Sequence, residues 1–263
     1  MLRPRVHFHA TGGELALNAE PGSDTIRAIL LDIEGTTTPI HFVYETLFPY
    51  ARTRLNRFLL EHGNEADVRA DIENLRKQHR TDSSESLNPP RWMDGSPILE
   101  LGAAAAYGLW LMERDSKCAA LKSLQGKIWQ AGYRKGELRG EVYPDVPSAF
   151  ARWSQQGKII CIYSSGSVLA QKLLFSSTHA GDLTRFIRAY FDTTTGPKNA
   201  PGSYAQIAEA LALEPGSILF ISDAAKELDA AHSAGDRTAL CIRAGSSEQA
   251  AGAHRVIHSF GEV

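Results

Sequence analysis

Two carboxylates stand two positions apart where an apolar run ends: in LLDIEGTTTP, Asp32 follows the leucines and Glu34 opens a turn rich in Gly and Thr. A carboxylate can attack phosphorus to give an aspartyl-phosphate, dividing one hard hydrolysis into two easier displacements. A second acid beside it can protonate the leaving oxygen and then activate water. Capping of the next turn would account for one such acid more readily than for two. In CIYSSGS, Ser164 and Ser165 precede Gly166, and hydroxyls with backbone N–H groups there can hold oxyanions at the start of a helix. A plain N-cap would use the same residues. Lys198, in TTTGPKNAPGSY, is a cation in a Gly/Pro loop that could neutralise phosphate charge, although most loop lysines are only solvated. In ILFISDAAKELDAA, Asp223 ends another apolar run, with Glu227 a helical turn on and Asp229 close by. Magnesium prefers oxygen ligands, often one or two carboxylates plus waters and substrate phosphate, and Asp32 with Asp223 can supply them. Glu227 reads as a supporting residue and Asp229 as solvated.

These residues need a scaffold that brings strand ends together. Short runs rich in Ile, Leu and Val (RAILLDI, KIICIYS, RAYFDT, SILFISD, TALCIR and a weaker RVIHSF) read as buried parallel strands. Helical stretches alternate with them, at Ser167 to Ser176, Gly202 to Leu213 and Lys226 to Ala234, which predicts an α/β fold with a doubly wound parallel sheet. In such sheets ligands bind beyond the carboxyl ends of the strands, where all four motifs fall. The first strand ends at Asp32 and the next begins only near Lys158. The intervening stretch has Leu, Ala, Arg and Glu at helical spacing, as in ARTRLNRFLLEH and ADVRADIENLRKQ, and predicts an inserted helical cap. The expected division is an N-terminal extension at 1–23, an α/β core at 24–47 and 141–263, and a helical cap at 48–140. Within the cap, TDSSESLNPPRWMDGSP reads as a connecting loop.

Bulk properties narrow the class. The chain has 263 residues, 43% hydrophobic and 22% charged, close to the average for folded domains. Its formal charge of -2 offers no basic footprint for nucleic acid. Cys118, Cys161 and Cys241 have no CxxC spacing and cannot all pair, which favours a reducing compartment and core packing for each. The apolar run Leu101 to Met112 is too short for a bilayer and reads as a buried helix. With no secretory signal pattern, the cytoplasm is the expected location, and a monomer the expected form. His7 and His9 could ligate a metal only with partners that the sequence does not offer.

The ordered set of nucleophile, hydroxyl, lysine and metal acid resembles the motifs of the haloacid dehalogenase-like superfamily. The likeness narrows to its enolase-phosphatase family of methionine salvage. Glu34 in DIEGTTTPI stands where most phosphatases of the superfamily have Asp, YSSGSVLAQKLLF is similar to the family's second motif, and LKSLQGKIWQAGYRKGELRGEVYPDV to its cap-to-core segment. The resemblance runs from Ala28 to Arg243.

The resemblance implies conversion of 2,3-diketo-5-methylthiopentyl 1-phosphate to the acireductone 1,2-dihydroxy-3-keto-5-methylthiopentene plus phosphate, by enolisation and then dephosphorylation. It implies one Mg2+ per subunit, with Asp32 as nucleophile and metal ligand, Glu34 as acid/base with its backbone carbonyl on the metal, and Asp223 on the metal. Ser164 and Ser165 would bind substrate and Lys198 its phosphate. Arg91, Trp92 and Tyr133 are unassigned cap candidates. The partners implied are a small phosphorylated molecule, with no nucleic acid and no membrane. A general phosphomonoesterase of the same superfamily is the nearest alternative, and Glu34 with the segment around Trp129 argues against it. A phospho-accepting receiver module would lack both the long insertion and the second carboxylate.

Overall fold

A computed structural model describes residues 26–245 and 252–263, together with the strand His7–Phe8. The chain separates into two compact units, residues 1–40 with 139–263, and residues 41–138.

The first unit is built on a seven-stranded sheet. Its strands are β1 (His7–Phe8), β2 (Ala28–Leu31), β3 (Ile159–Tyr163), β4 (Ile187–Phe191), β5 (Ile218–Ser222), β6 (Arg237–Cys241) and β7 (Arg255–Ile257), in the order β1-β4-β3-β2-β5-β6-β7. Six are parallel and β1 pairs antiparallel with β4 at the edge. The predicted doubly wound sheet is therefore present, and part of the N-terminal extension joins it as an edge strand; the side chains of His7 and His9 lie outside the described residues. All four residues of β2 are fully buried, as a central strand covered on both faces requires. Helices α5 (Val146–Gln155), α6 (Val168–Ser176), α7 (Pro201–Leu211) and α8 (Ala225–Ser233) belong to this unit. Tyr204, Ile207 and Leu228 pack into a core with Leu30, Cys161, Phe191 and Phe220.

The chain winds from β2 through β3 to β4 on one side and then returns to β5 on the other side of β2. This reversal opens a crevice at the carboxyl ends of β2, β3 and β5. Leu31 is in register with Ile162 and Ile221, so Asp32 emerges beside the ends of both neighbouring strands.

The second unit is helical. A π-helix (Phe42–Leu47) leads into α1 (Phe48–His62), followed by α2 (Ala66–Ser84), α3 (Pro97–Glu113) and α4 (Ala119–Arg134). Helical structure thus starts ahead of Phe48, and α2 runs into the segment read as a loop, leaving 85–96 to connect it to α3. The run from Leu101 to Met112 lies inside α3, with Ala104 and Tyr107 fully buried. Polar ties fix these helices: Lys127 Nζ reaches Asp71 at 2.6 Å and Asp67 at 3.0 Å, and Trp129 Nε1 donates to the Leu47 carbonyl at 2.8 Å. Cys161 and Cys241 are buried as expected, whereas Cys118, in the turn before α4, is partly exposed. No helix among the described residues is long and apolar enough to cross a membrane.

Candidate active site

Asp32 leaves β2 into a tight loop that its own backbone closes. The N–H groups of Thr36, Thr37 and Thr38 converge on the Ile33 carbonyl at 3.2, 3.0 and 2.9 Å, and Gly35 N donates to Thr38 O at 2.8 Å. Gly35 has φ +70°, and a Cβ there would collide with the Asp223 carboxylate, so only glycine permits this approach of the two strand-end loops. The Thr37 hydroxyl donates to the Asp32 carbonyl at 3.1 Å. The cluster of threonines is a buried loop closure.

The Asp32 carboxylate is buried and held on both oxygens. Oδ1 accepts from Ile33 N at 2.8 Å and from Lys198 Nζ at 2.5 Å, while Ser222 Oγ stands 3.2 Å from Oδ2. Lys198 Nζ also meets Glu227 at 2.6 Å. Burial alone would lower the lysine pKa, but Asp32 and Glu227 outweigh it and raise it, so the ammonium stays charged. The Lys198 loop is pinned along its backbone: Tyr204 Oη donates to Lys198 O at 2.7 Å, Ser203 Oγ to Pro197 O at 2.8 Å and Tyr163 Oη to Gly196 O at 2.9 Å.

Around that lysine the carboxylates outnumber the cations. Burial, then Asp32, push the Glu34 pKa up to about 7, with Glu227 and Asp223 adding to the rise against Lys198. Burial, then Asp32 and Glu227, do the same for Asp223, also to about 7. Glu227 is raised too, by burial first and Asp32 second. Four acids and one lysine leave a negative excess that a divalent cation would relieve. No three His, Cys, Asp or Glu side chains among the described residues form a ready-made metal cluster. Magnesium asks for less, since two carboxylates and a backbone carbonyl leave room for its waters. Asp32 and Asp223, whose carboxylate packs against Gly35, could supply the two carboxylates, with the Glu34 carbonyl as the expected further ligand.

Ser164 is fully buried at the end of β3, and its Oγ accepts from Gly166 N at 3.1 Å. Ser165 is half-buried beside it, and Ser167 caps α6 by accepting from Ala170 N. The mouth of α6 thus follows β3 directly, as an oxyanion cradle needs.

The haloacid dehalogenase-like hydrolase profile matches residues 26–235. An enolase-phosphatase E1 of Synechococcus elongatus is 46% identical, aligned over 91% of this chain and 98% of its own. An enolase-phosphatase E1 of Sorangium cellulosum is 44% identical over 90% and 97%. The chain belongs to the enolase-phosphatase family. Among solved structures, the UTR4 protein of Saccharomyces cerevisiae is 33% identical with a TM-score of 0.73, covering 91% of this chain and all of that one. CbbY of Rhodobacter sphaeroides, 19% identical with a TM-score of 0.51, shares the fold.

In this enolase-phosphatase relative, Asp32 and Lys198 are in direct contact, the Asp223 carboxylate abuts Gly35, and Glu34 feels the charge of all three. Glu227 supports the site through its ion pair with Lys198 at 2.6 Å and a hydrogen bond from Ser222 at 3.0 Å. Asp229 is largely exposed but meets His254 at 3.1 Å. Ser222 was not singled out by its sequence; its position at the strand end beside Asp223 was the available signal. Arg243, just past β6, was likewise passed over.

Proposed function

We propose that this chain acts as an enolase-phosphatase in which Asp32 attacks the substrate phosphorus and Glu34 moves the protons. The observation that carries the reading is a buried carboxylate, gripped by Lys198 and Ile33 N at the carboxyl end of the central strand, with a second acid two residues on. Attack of Asp32 on the phosphoryl group breaks the bond to the ester oxygen and gives an aspartyl-phosphate and an enol. Glu34, held near neutrality by burial and by Asp32, can protonate that oxygen and then take a proton from the water that hydrolyses the acyl phosphate. The same carboxylate is the candidate base for the preceding enolisation. Lys198 would pass from its two carboxylates toward the incoming phosphate oxygens, and Ser164 and Ser165 with the α6 N-terminus would receive the others.

Asp32, Asp223 and the Glu34 carbonyl would hold Mg2+, which when bound supplies charge neutralisation on the phosphoryl oxygens. The helical unit, residues 41–138, is proposed to be the inserted cap expected from the sequence. The proposed substrate is the diketo phosphate that the resemblance implies, and the protein is proposed to be a cytoplasmic monomer.

The test is an assay of the purified protein with the diketo phosphate and Mg2+, following enol absorbance and inorganic phosphate in parallel. Enol formation with phosphate release is expected, and Asp32→Asn should abolish phosphate release with the fold intact. Release from generic esters alone would reduce the protein to a general phosphomonoesterase; retained phosphate release in Asp32→Asn would remove Asp32 as the nucleophile.

A further inference from the structure

We propose that Arg243 is a positioning residue that holds the Glu34 side of the catalytic loop in place. This role rests on reading Glu34 as the acid/base group. Arg243 is buried just beyond β6, at the same sheet edge as Asp32 and Asp223. Its guanidinium donates to the Thr36 carbonyl twice, from Nε at 3.0 Å and from NH2 at 2.7 Å. NH1 donates to Asp145 Oδ2 at 2.8 Å, and the cation lies 4.3 Å from the Tyr143 ring centre and 4.5 Å from that of Phe260.

The charge of Arg243 is already answered by Asp145, whose Oδ2 also accepts from Phe260 N at 2.7 Å and Ser259 Oγ at 3.1 Å. That pairing leaves Nε and Nη2 to one carbonyl, two residues past Glu34, while Nη1 also reaches the His258 carbonyl at 3.5 Å.

The two catalytic carboxylates depend on this grip unequally. Asp32 has side-chain anchors of its own in Ile33 N, Lys198 and Ser222. Among the described residues no hydrogen bond or ion pair fixes the Glu34 carboxylate, so its place is set by the loop backbone that Arg243 clamps. Loss of the clamp should therefore harm proton transfer by Glu34 more than attack by Asp32. Lysine cannot replace the fork, because a point ammonium lacks the planar pair of donors.

The experiment compares kcat/KM for an alkyl phosphate, whose leaving oxygen needs a proton, with that for p-nitrophenyl phosphate, whose leaving group does not. In Arg243→Lys the alkyl value should fall at least about tenfold more than the aryl value, within the range of general acid contributions. A uniform fall, or none, would overturn the proposal, since a merely structural residue would not skew the ratio. Asp145→Asn, which keeps an acceptor but removes the counter-charge, should skew it the same way if Arg243→Lys does not fold, and a uniform fall there refutes it equally. Glu34→Gln runs in parallel: if that variant leaves the ratio unchanged, the error lies in the role given to Glu34 and the proposal falls with it. If it skews the ratio and the Arg243 variant does not, the positioning claim alone is wrong.

Discussion

Replacing Lys198 by Met would leave the buried Asp32 and the partly buried Glu227 without their shared cation while conserving the bulk of the side chain. Both ion pairs are short, 2.5 and 2.6 Å, and the lysine side chain is only 8% exposed, so solvent cannot take over its part. Removing one partner of a buried pair costs about 3–5 kcal/mol, because an uncompensated charge remains. For a chain of this size each kcal/mol moves the melting temperature by about 2–4 °C, so the drop near neutral pH should be roughly 6–20 °C. The loss has a predictable pH dependence. Lys198, its pKa raised, is protonated in both states across the acidic and neutral range and contributes no slope of its own there. In the variant, the carboxylates would have folded-state pKa values raised above their unfolded values, so their destabilisation is small below the unfolded carboxylate range and grows as pH rises. The difference in melting temperature between the two proteins, measured in EDTA, should therefore be smaller at about pH 5 than at about pH 8. Equal differences at both pH values would refute the assignment of Lys198 as the counter-ion of this site. Phosphate release should fall by about a hundredfold or more in the same variant, the scale of losing one preorganised electrostatic contact.

Magnesium binding should weaken on acidification, since Asp223 with a pKa of about 7 must shed its proton to become a ligand. Calorimetry in buffers of different ionisation heats should detect proton release on binding below that pKa and little above it; no release at either pH would exclude Asp223 as a ligand. A second prediction concerns Asp236, which is buried with neither carboxylate oxygen hydrogen-bonded and is pushed up to about 8 by burial. Because its folded pKa exceeds the unfolded one, it costs stability increasingly as pH rises toward about 8 and not at low pH. Asp236→Asn should therefore raise the melting temperature relative to the parent at about pH 8.5 more than at about pH 5, and a pH-independent difference would contradict it.

The sheet was legible because its central strands are buried on both faces and so read as unbroken Ile, Leu and Val runs. Residues just past those runs were then the natural places to look, and Asp32, Ser164 and Asp223 stand there. The end of α2 was not legible for a physical reason. Thr81, Ser83 and Ser84 look like turn formers, but each hydroxyl donates to a carbonyl three or four residues back, at Lys77, His79 and Thr81, and the helix continues through them. Ser222 and Arg243 were hidden differently. Ser222 has a local partner in Glu227, at 3.0 Å, but its contact with Asp32 at 3.2 Å, like those of Arg243 with Thr36 and Asp145, joins residues far apart in sequence. No local spacing encodes the long-range pairings. Arg243 carried one positional signal, a charged residue directly beyond an apolar strand at the catalytic edge.

The charge pattern gives the lysine two incompatible tasks, and that conflict shapes the site. With no phosphate present, Lys198 must satisfy Asp32 and Glu227, or two buried anions would repel one another at close range. On the proposed mechanism Asp32 must be free to attack once phosphate is present, yet the arriving anion would need the same ammonium. Glu227 eases the exchange: it lets Nζ lean on a second carboxylate when contact with Asp32 loosens. The backbone ties at Gly196, Pro197 and Lys198 keep the loop fixed, so only the end of the side chain need shift. The remaining negative excess, spread over Glu34 and Asp223, is what a metal ion would answer. Until one binds, their raised pKa values allow protons to answer it in part. Proton, lysine and metal thus compete for the same carboxylates, which is why the pH dependence of stability and that of magnesium affinity should both reflect this one cluster.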